Sequence, residues 1–367
     1  MKSRMKFVEI MSLWLLLVGI SGCEKTPLPD PNPEPFTLHG VFILNQGGNK
    51  QNNASLSFYD PASQTVSTVP FPSESEPGQN EALGDLGQDL LIYGSKLYIV
   101  VSNSSYIRVL DVKTKQSLGK IVLEDNEKKP RNPRYLAAYG GKVYVTCSTD
   151  GTVARIDTAS LQTDGSVNVG ANPEGIAASI YNAKLYVANS GFGTGNTVSV
   201  IDIATFREEA TIETGLNPNI IRAGDQTFAY LSYQGNFGDI AGGFQRIDLR
   251  NHAVTTLGAY PKADFAWEDG VIFYYDITYN PVDWSTQVTY GKFNDTGESY
   301  AHPSPLITDG TQLTAPYAIA VEPYTETVYL ADAGDYSNPG TIYVFDPAGK
   351  QTDAFTVGII PCKIVFY

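Results

Sequence analysis

One phrase recurs along this chain. Asn132-Pro133 opens NPRYLAAYGGKVYVTCSTDGTVARID, Asn172-Pro173 opens NPEGIAASIYNAKLYVANSGFGTGNTVSVID, and Asn217-Pro218 opens NPNIIRAGDQTFAYLSYQGNFGDIAGGFQRID. The Asn residues stand 40 and 45 positions apart. Each unit reads as a turn, a short apolar run, a second turn, a Tyr-rich apolar run, a Gly/Asn loop, and an alternating run that ends at Asp. A weaker fourth run precedes the next Asn-Pro. Four short strands repeating every 40–45 residues or so mark the blade of a β-propeller.

The pattern continues on both sides. Downstream, Tyr260-Pro261 begins a divergent copy containing GVIFYYD, and Ala315-Pro316 begins one with YAIAVEP, TVYLADAG and GTIYVFDP. Upstream, Gly84 to Asp111 holds LIYGSKLYIVVSN and SSYIRVLD. The first copy starts at Gly40 with VFILNQGG, which matches the second strand of the other units, so its innermost strand is missing. The end of the sequence, Ile360-Pro361-Cys362-Lys363-Ile364-Val365-Phe366-Tyr367, resembles a first strand with nothing after it. The expected fold is therefore all-β: a seven-bladed propeller with four-stranded blades, closed when the C-terminal strand joins the N-terminal blade. Such closure removes an exposed inner edge. Insertions in the later copies leave six or eight blades as alternatives. Helix signals are nearly absent, since no long segment places apolar residues at i, i+3, i+4 and i+7.

Residues 1–22 read as a signal peptide. Lys2, Arg4 and Lys6 precede a short apolar core from Ile10 to Ile20, too short for a comfortable transmembrane helix. Ile20-Ser21-Gly22-Cys23 resembles a bacterial lipobox, which implies a lipid on Cys23; a plain cleaved signal with a chance Cys is the alternative. Glu9 is awkward inside such a signal, and a start at Met5 would move it to the edge. Residues 23–38 form a tether in which Pro27, Pro29, Pro31, Pro33 and Pro35 favour polyproline II, at about 3.1 Å per residue. Residues 39–367 form the propeller. Loss of residues 1–22 removes three basic residues and Glu9, taking the net charge from −14 to −16. That balance disfavours nucleic acid and anionic headgroups. Cys147 and Cys362 fall in non-adjacent blades and read as two buried free thiols.

Chemistry is sparse. His39, His252 and His302 have no ligand-spaced neighbours, so no metal site is expected. No nucleophile elbow or Ser/His/Asp set stands out. Gly191 to Asn196 looks like a phosphate loop but lies between strands, and Asp332-Ala333-Gly334-Asp335 reads as a turn rather than a calcium loop. No cofactor and no enzymatic activity are expected.

The informative segments are the loops between second and third strands: Asn45 to Asn53, Asn189 to Asn196, Tyr233 to Gly243, Asp276 to Ser285, and Asp332 to Gly340. They exceed the two to five residues or so that a minimal hairpin needs, and they share a face with the loops leading into the first strands. Candidate ligand-binding residues on this face are Asn45, Gln46, Asn103, Asn189, Phe192, Tyr233, Phe237, Tyr279, Trp284, Asp332 and Tyr336. Asn132, Asn172 and Asn217 join them near the central opening, although Asn before Pro is more often a turn former. The strand tyrosines Tyr98, Tyr144, Tyr186 and Tyr329 read as blade packing.

GVFILNQGGNKQNNASLSFYDP, KLYVANSG, TVSVID and TIYVFDP together resemble the YncE-like propeller lipoproteins of Gram-negative bacteria, from about Gly40 to the end. Within that group the chain is most similar to the BtuG-type lipoproteins. The resemblance implies an outer-membrane lipoprotein at the cell surface that captures a corrinoid such as vitamin B12 and passes it to a TonB-dependent transporter. Two other functions stay open: a module that binds a glycan or protein, and a lactonase- or dehydrogenase-type propeller enzyme.

Overall fold

Seven four-stranded antiparallel sheets follow one another around a ring. They come from a computed structural model that describes residues 37–73, 76, 78–223, 227–236, 238–258, 264–279, 286–295 and 302–367, with the side chain of Tyr279 outside the description. The expected signal peptide, Cys23 and the expected tether up to residue 36 lie outside the described residues, whereas Leu38 packs against the core of the ring.

The innermost strands are Gly87–Tyr93, Pro133–Tyr139, Pro173–Ser179, Pro218–Ala223, Asp264–Glu268 and Pro316–Val321 for blades 2 to 7. The seventh, Pro361–Phe366, completes blade 1. It pairs antiparallel with Val41–Asn45, with Val41 opposite Phe366, Ile43 opposite Ile364 and Asn45 opposite Pro361. The C-terminal strand thus closes the ring as its sequence suggests. The Gly40 and Tyr367 backbones bond each other in both directions at 2.9 Å, and the Tyr59 ring of blade 1 stacks on Phe355 of blade 7 at 4.1 Å.

The recurrent phrase has a backbone explanation. The residue before five of the inner strands is left-handed: Leu86, Asn132, Asn172, Asn217 and Ile360, with φ between 44° and 61°. Asn tolerates that region better than most side chains. Each carbonyl then accepts the N–H of the residue just after the second strand, for example Ser148 on Asn132 at 3.1 Å and Gln46 on Ile360 at 2.7 Å. Pro follows in four of the five because the inner edge of its strand needs no ladder N–H there; in blade 2 Gly87 follows instead and its N–H donates to the Gln46 carbonyl at 3.0 Å. In blades 1 to 5 the Asp that ends the third strand closes the next turn. Asp111 accepts the Thr114 N–H at 2.7 Å, and Asp157 accepts that of Ser160 at 2.8 Å.

The second strands carry the core. Tyr98, Tyr144, Tyr186 and Tyr329 are all at most 5% exposed and pack between blades, as their spacing indicates. One insertion is not apparent from the repeat. Between blades 1 and 2, Phe71–Pro72 pairs with Asn80–Glu81, and Glu81 forms ion pairs with the fully buried Arg108 and with Lys120. In blade 6 the segment expected to begin a loop at Asp276 continues as strand. Val271–Tyr279 pairs with Thr286–Asn294 along its whole length, so that hairpin stands taller than its neighbours.

Candidate functional site

A channel runs along the ring axis, and the pairing registers sort the inner-strand residues into layers. The uppermost described layer, one residue after each opening Pro or Gly, holds Gln88, Arg134, Glu174, Asn219, Tyr317 and Cys362. The next holds Asp89, Tyr135, Gly175, Ile220, Asp264, Ala318 and Lys363. The third is uniformly apolar: Leu90, Leu136, Ile176, Ile221, Phe265, Ile319 and Ile364. One set of strands therefore builds a polar neck above an apolar chamber. The neck encloses about 310 Å³ and the chamber about 550 Å³.

Ion pairs cross the neck from blade to blade. Arg134 Nε lies 2.8 Å from Glu174, and its Nη1 donates to Gln88 Oε1 at 2.7 Å. Lys363 Nζ lies 2.8 Å from Asp89, and Arg222 lies 4.0 Å from Asp264. The two aspartates also anchor the next blade: Asp89 accepts the Leu136 N–H at 2.9 Å, and Asp264 accepts that of Ile319. Burial raises the Glu174 and Asp264 carboxyls above their ordinary values; the facing guanidinium of Arg134, and Arg222 with Lys363, pull the other way without reversing it. Burial likewise raises the phenols of Tyr135 and Tyr275, and lifts Tyr317 to about 12, so all three are neutral hydroxyls at physiological pH. Tyr317 donates to Gln46 at 2.9 Å, and its ring meets Tyr336 edge-on with centroids 5.9 Å apart.

The residues singled out in the sequence divide into three groups. Gln46 and Tyr336 come together at the neck through Tyr317. Phe192, on a left-handed residue of a short turn, is 86% exposed on the same face, and Asn103 sits further out, bonded to Asn49 and Asp85. Asn45, Asn189, Tyr233 and Asp332 end second strands and are engaged in holding hairpins. Asn45 Nδ2 donates to the hydroxyls of Ser55 and Ser57, and Asn189 Nδ2 to those of Thr197 and Ser199. Asp332 accepts three backbone N–H groups, from Thr314, Ala315 and Gly334. Tyr233 lies flat against Gly215 and Gly243, where a Cβ would collide with its ring. Asn132, Asn172 and Asn217 are the turn residues described above. Phe237 and Trp284 lie outside the described residues, as does the Tyr279 side chain.

Cys147 is buried, as expected, and its thiol pKa is pushed up to about 12 by burial. Cys362 departs from the expectation: it is half-buried and lines the channel, because the closing strand turns its first residues toward the axis. Among the described residues no three His, Cys, Asp or Glu side chains gather where a metal ion would sit.

Sequence reasoning settled on the loops and the Asn residues and passed over the neck. A signal was present: once the copies are aligned on Asn-Pro, the next position carries Arg134, Glu174, Asn219 and Tyr317, chemically unlike one another inside an otherwise repeated phrase.

Comparison with known proteins supports the fold. Residues 39–129 match a domain of unknown function, DUF5074. No curated protein matches the chain in sequence. Among solved structures, a Bacteroides fragilis protein provisionally named a 6-phosphogluconolactonase is 13% identical over 92% of this chain and 100% of its own, with a TM-score of 0.63. A quinonprotein alcohol dehydrogenase-like protein of Bacteroides thetaiotaomicron is 14% identical over 89% of this chain and 78% of its own, with a TM-score of 0.58. Kuenenia stuttgartiensis hydrazine synthase is 19% identical over 69% and 74%, with a TM-score of 0.58. The chain is a seven-bladed β-propeller.

Proposed function

We propose that this propeller captures a small ligand on its upper face, over the polar neck, and that the ligand is a corrinoid. The observation that carries capture is the neck itself: a preformed ring of amides, tyrosines and paired charges under an exposed aromatic rim that includes Phe192 and Tyr336. A corrinoid is a broad, flat molecule with amides around its edge and apolar faces. Aromatic side chains suit the faces, and amides and hydroxyls suit the edge. A rigid ring lowers the ordering cost of binding. The corrinoid assignment rests on the likeness to the BtuG-type lipoproteins. With it come the outer-membrane, surface-exposed location, the lipid on Cys23, and hand-over to a TonB-dependent transporter.

Binding without catalysis is the favoured reading on electrostatic grounds. The names of some similar structures suggest a lactonase acting on a phosphorylated sugar. Among the described residues each neck cation already faces a carboxylate, Arg134 with Glu174, Arg222 with Asp264 and Lys363 with Asp89, so a phosphate on any of them would have to displace an anion of the protein.

Calorimetric titration of the purified ring with cyanocobalamin tests the proposal. Saturable one-to-one binding is expected at micromolar protein. No heat at that concentration would remove the corrinoid assignment, and retention on a polysaccharide gel would replace it with the glycan reading.

A further inference from the structure

The neck contains two tyrosine hydroxyls that have no protein partner among the described residues. Tyr275 occupies the second-strand position held in other blades by Leu44, Val100, Thr146, Ala188, Ser232 and Ala331, none of them aromatic. In blade 6 the position carries a full phenol that reaches the neck. Tyr275 is 5% exposed, and its hydroxyl meets no protein acceptor among the described residues. The Tyr135 hydroxyl, close enough to interact with it electrostatically, is in the same condition. The side-chain amides of Asn219 and Gln234 line the same cavity and also lack protein partners among the described residues. Both hydroxyls open onto the cavity, where a ligand group can reach them, and a phenylalanine at either position would offer no donor.

The charged groups point to the class of partner. Among the described residues three cations and three carboxylates already pair within the neck. An ionic ligand group would have to break a pair, whereas a neutral one meets only the unengaged hydroxyls and amides. The volume, about 310 Å³, lies at the lower end of the ~300–1,000 Å³ usual for drug-sized ligands. It admits an arm of a larger molecule rather than its body.

We infer that the neck is a subsite for a neutral carboxamide group carried on a flexible arm of the ligand. The Tyr135 and Tyr275 hydroxyls donate to the carboxamide oxygen, and Asn219 and Gln234 exchange hydrogen bonds with its NH2. Which molecule carries the arm rests on the proposed function; the class of group does not.

Two measurements test this. Crystals of the whole ring are soaked at neutral pH in propionamide and, separately, in sulfate, each at molar concentration. Propionamide within hydrogen-bond distance of both tyrosine oxygens is the expected result, and it stands even if cyanocobalamin fails to bind, which would overturn only the corrinoid assignment. A neck without propionamide, or sulfate seated on Arg134 or Lys363, overturns the inference. In calorimetry with cyanocobalamin, Tyr275→Phe and Tyr135→Phe each weaken binding about 5- to 10-fold, the worth of one hydrogen bond. Tyr98→Phe, which removes a buried hydroxyl between blades, leaves binding unchanged. Unaltered affinity in both neck variants, with wild-type binding intact, would also overturn it.

Discussion

The upper and lower halves of the channel are made by the same seven strands, yet they share almost no chemistry. Above the apolar layer of Leu90, Leu136, Ile176 and their counterparts, side chains differ from blade to blade and bond across the gaps. Below it, Ala138, Ala178 and Ala223 repeat and the wall is mostly apolar, with Trp267 and Phe366 in it and Arg222 the exception, its guanidinium facing Asp264. A repeat protein keeps its fold by repeating what faces the core and gains a site where it stops repeating. The irregular half is therefore the half to test.

The largest expected effect is in the neck. Arg134→Ala leaves Glu174 without its cation and Gln88 without its donor, and should cost roughly 1–3 kcal/mol of stability as well as ligand affinity. Chemical denaturation and titration would read both, and an unchanged midpoint would mean the pair is not held in solution. Next comes the turn residue Asn172. Replacement by Ala should cost about 1 kcal/mol, and replacement by Gly much less, because φ is positive there. Ligand affinity should be the same in both once folding is corrected for, and a loss of affinity in Asn172→Gly would return this Asn to the binding site.

Acidity should distinguish the halves more gently. Glu174 and Asp264 have raised folded-state values, so their neutral forms favour the fold. Their contribution is complete below the unfolded carboxylate range, about 4, and is lost as pH rises through the raised values. Asp248, lowered to about 2 by Arg250, behaves oppositely and loses its contribution as pH falls. Protonating Glu174 and Asp264 frees Arg134 and Arg222. Phosphate should therefore compete for the neck better as the pH falls from neutrality toward the ordinary carboxylate range, and competition that does not change along that titration would show that the carboxylates do not titrate there. The smallest effect is expected below the apolar layer: Ala178→Leu should leave upper-face affinity within about twofold. A larger loss would show that the chamber and the neck bind as one site.

The fold was legible because its determinants are local and repeated. Asn-Pro, the Tyr-centred second strands and the terminal Asp each answer to a turn or a core position, so spacing gives the blade and the closure, while the insertions of the later copies leave the count of seven open to six or eight. The neck was less legible because its pairs join different blades: Arg134 to Glu174, Lys363 to Asp89. Their partners lie 40 residues or more apart, and no short-range pattern announces them. Asn45 and Asn189 show the converse. They look like loop amides in the sequence, yet each is buried against two hydroxyls of the neighbouring strand. Tyr275 is visible as the second Tyr of GVIFYYD, but only the register shows that no counterpart in another blade is aromatic.

Lys363 and Cys362 lie on the strand that latches blade 1, and the groups they meet lie on blade 2. A guest resting in the neck would press on both sides of that seam, like a rivet through a hoop. Occupancy and closure would then favour each other, and the empty ring would be easiest to pry open where its two far-apart segments meet.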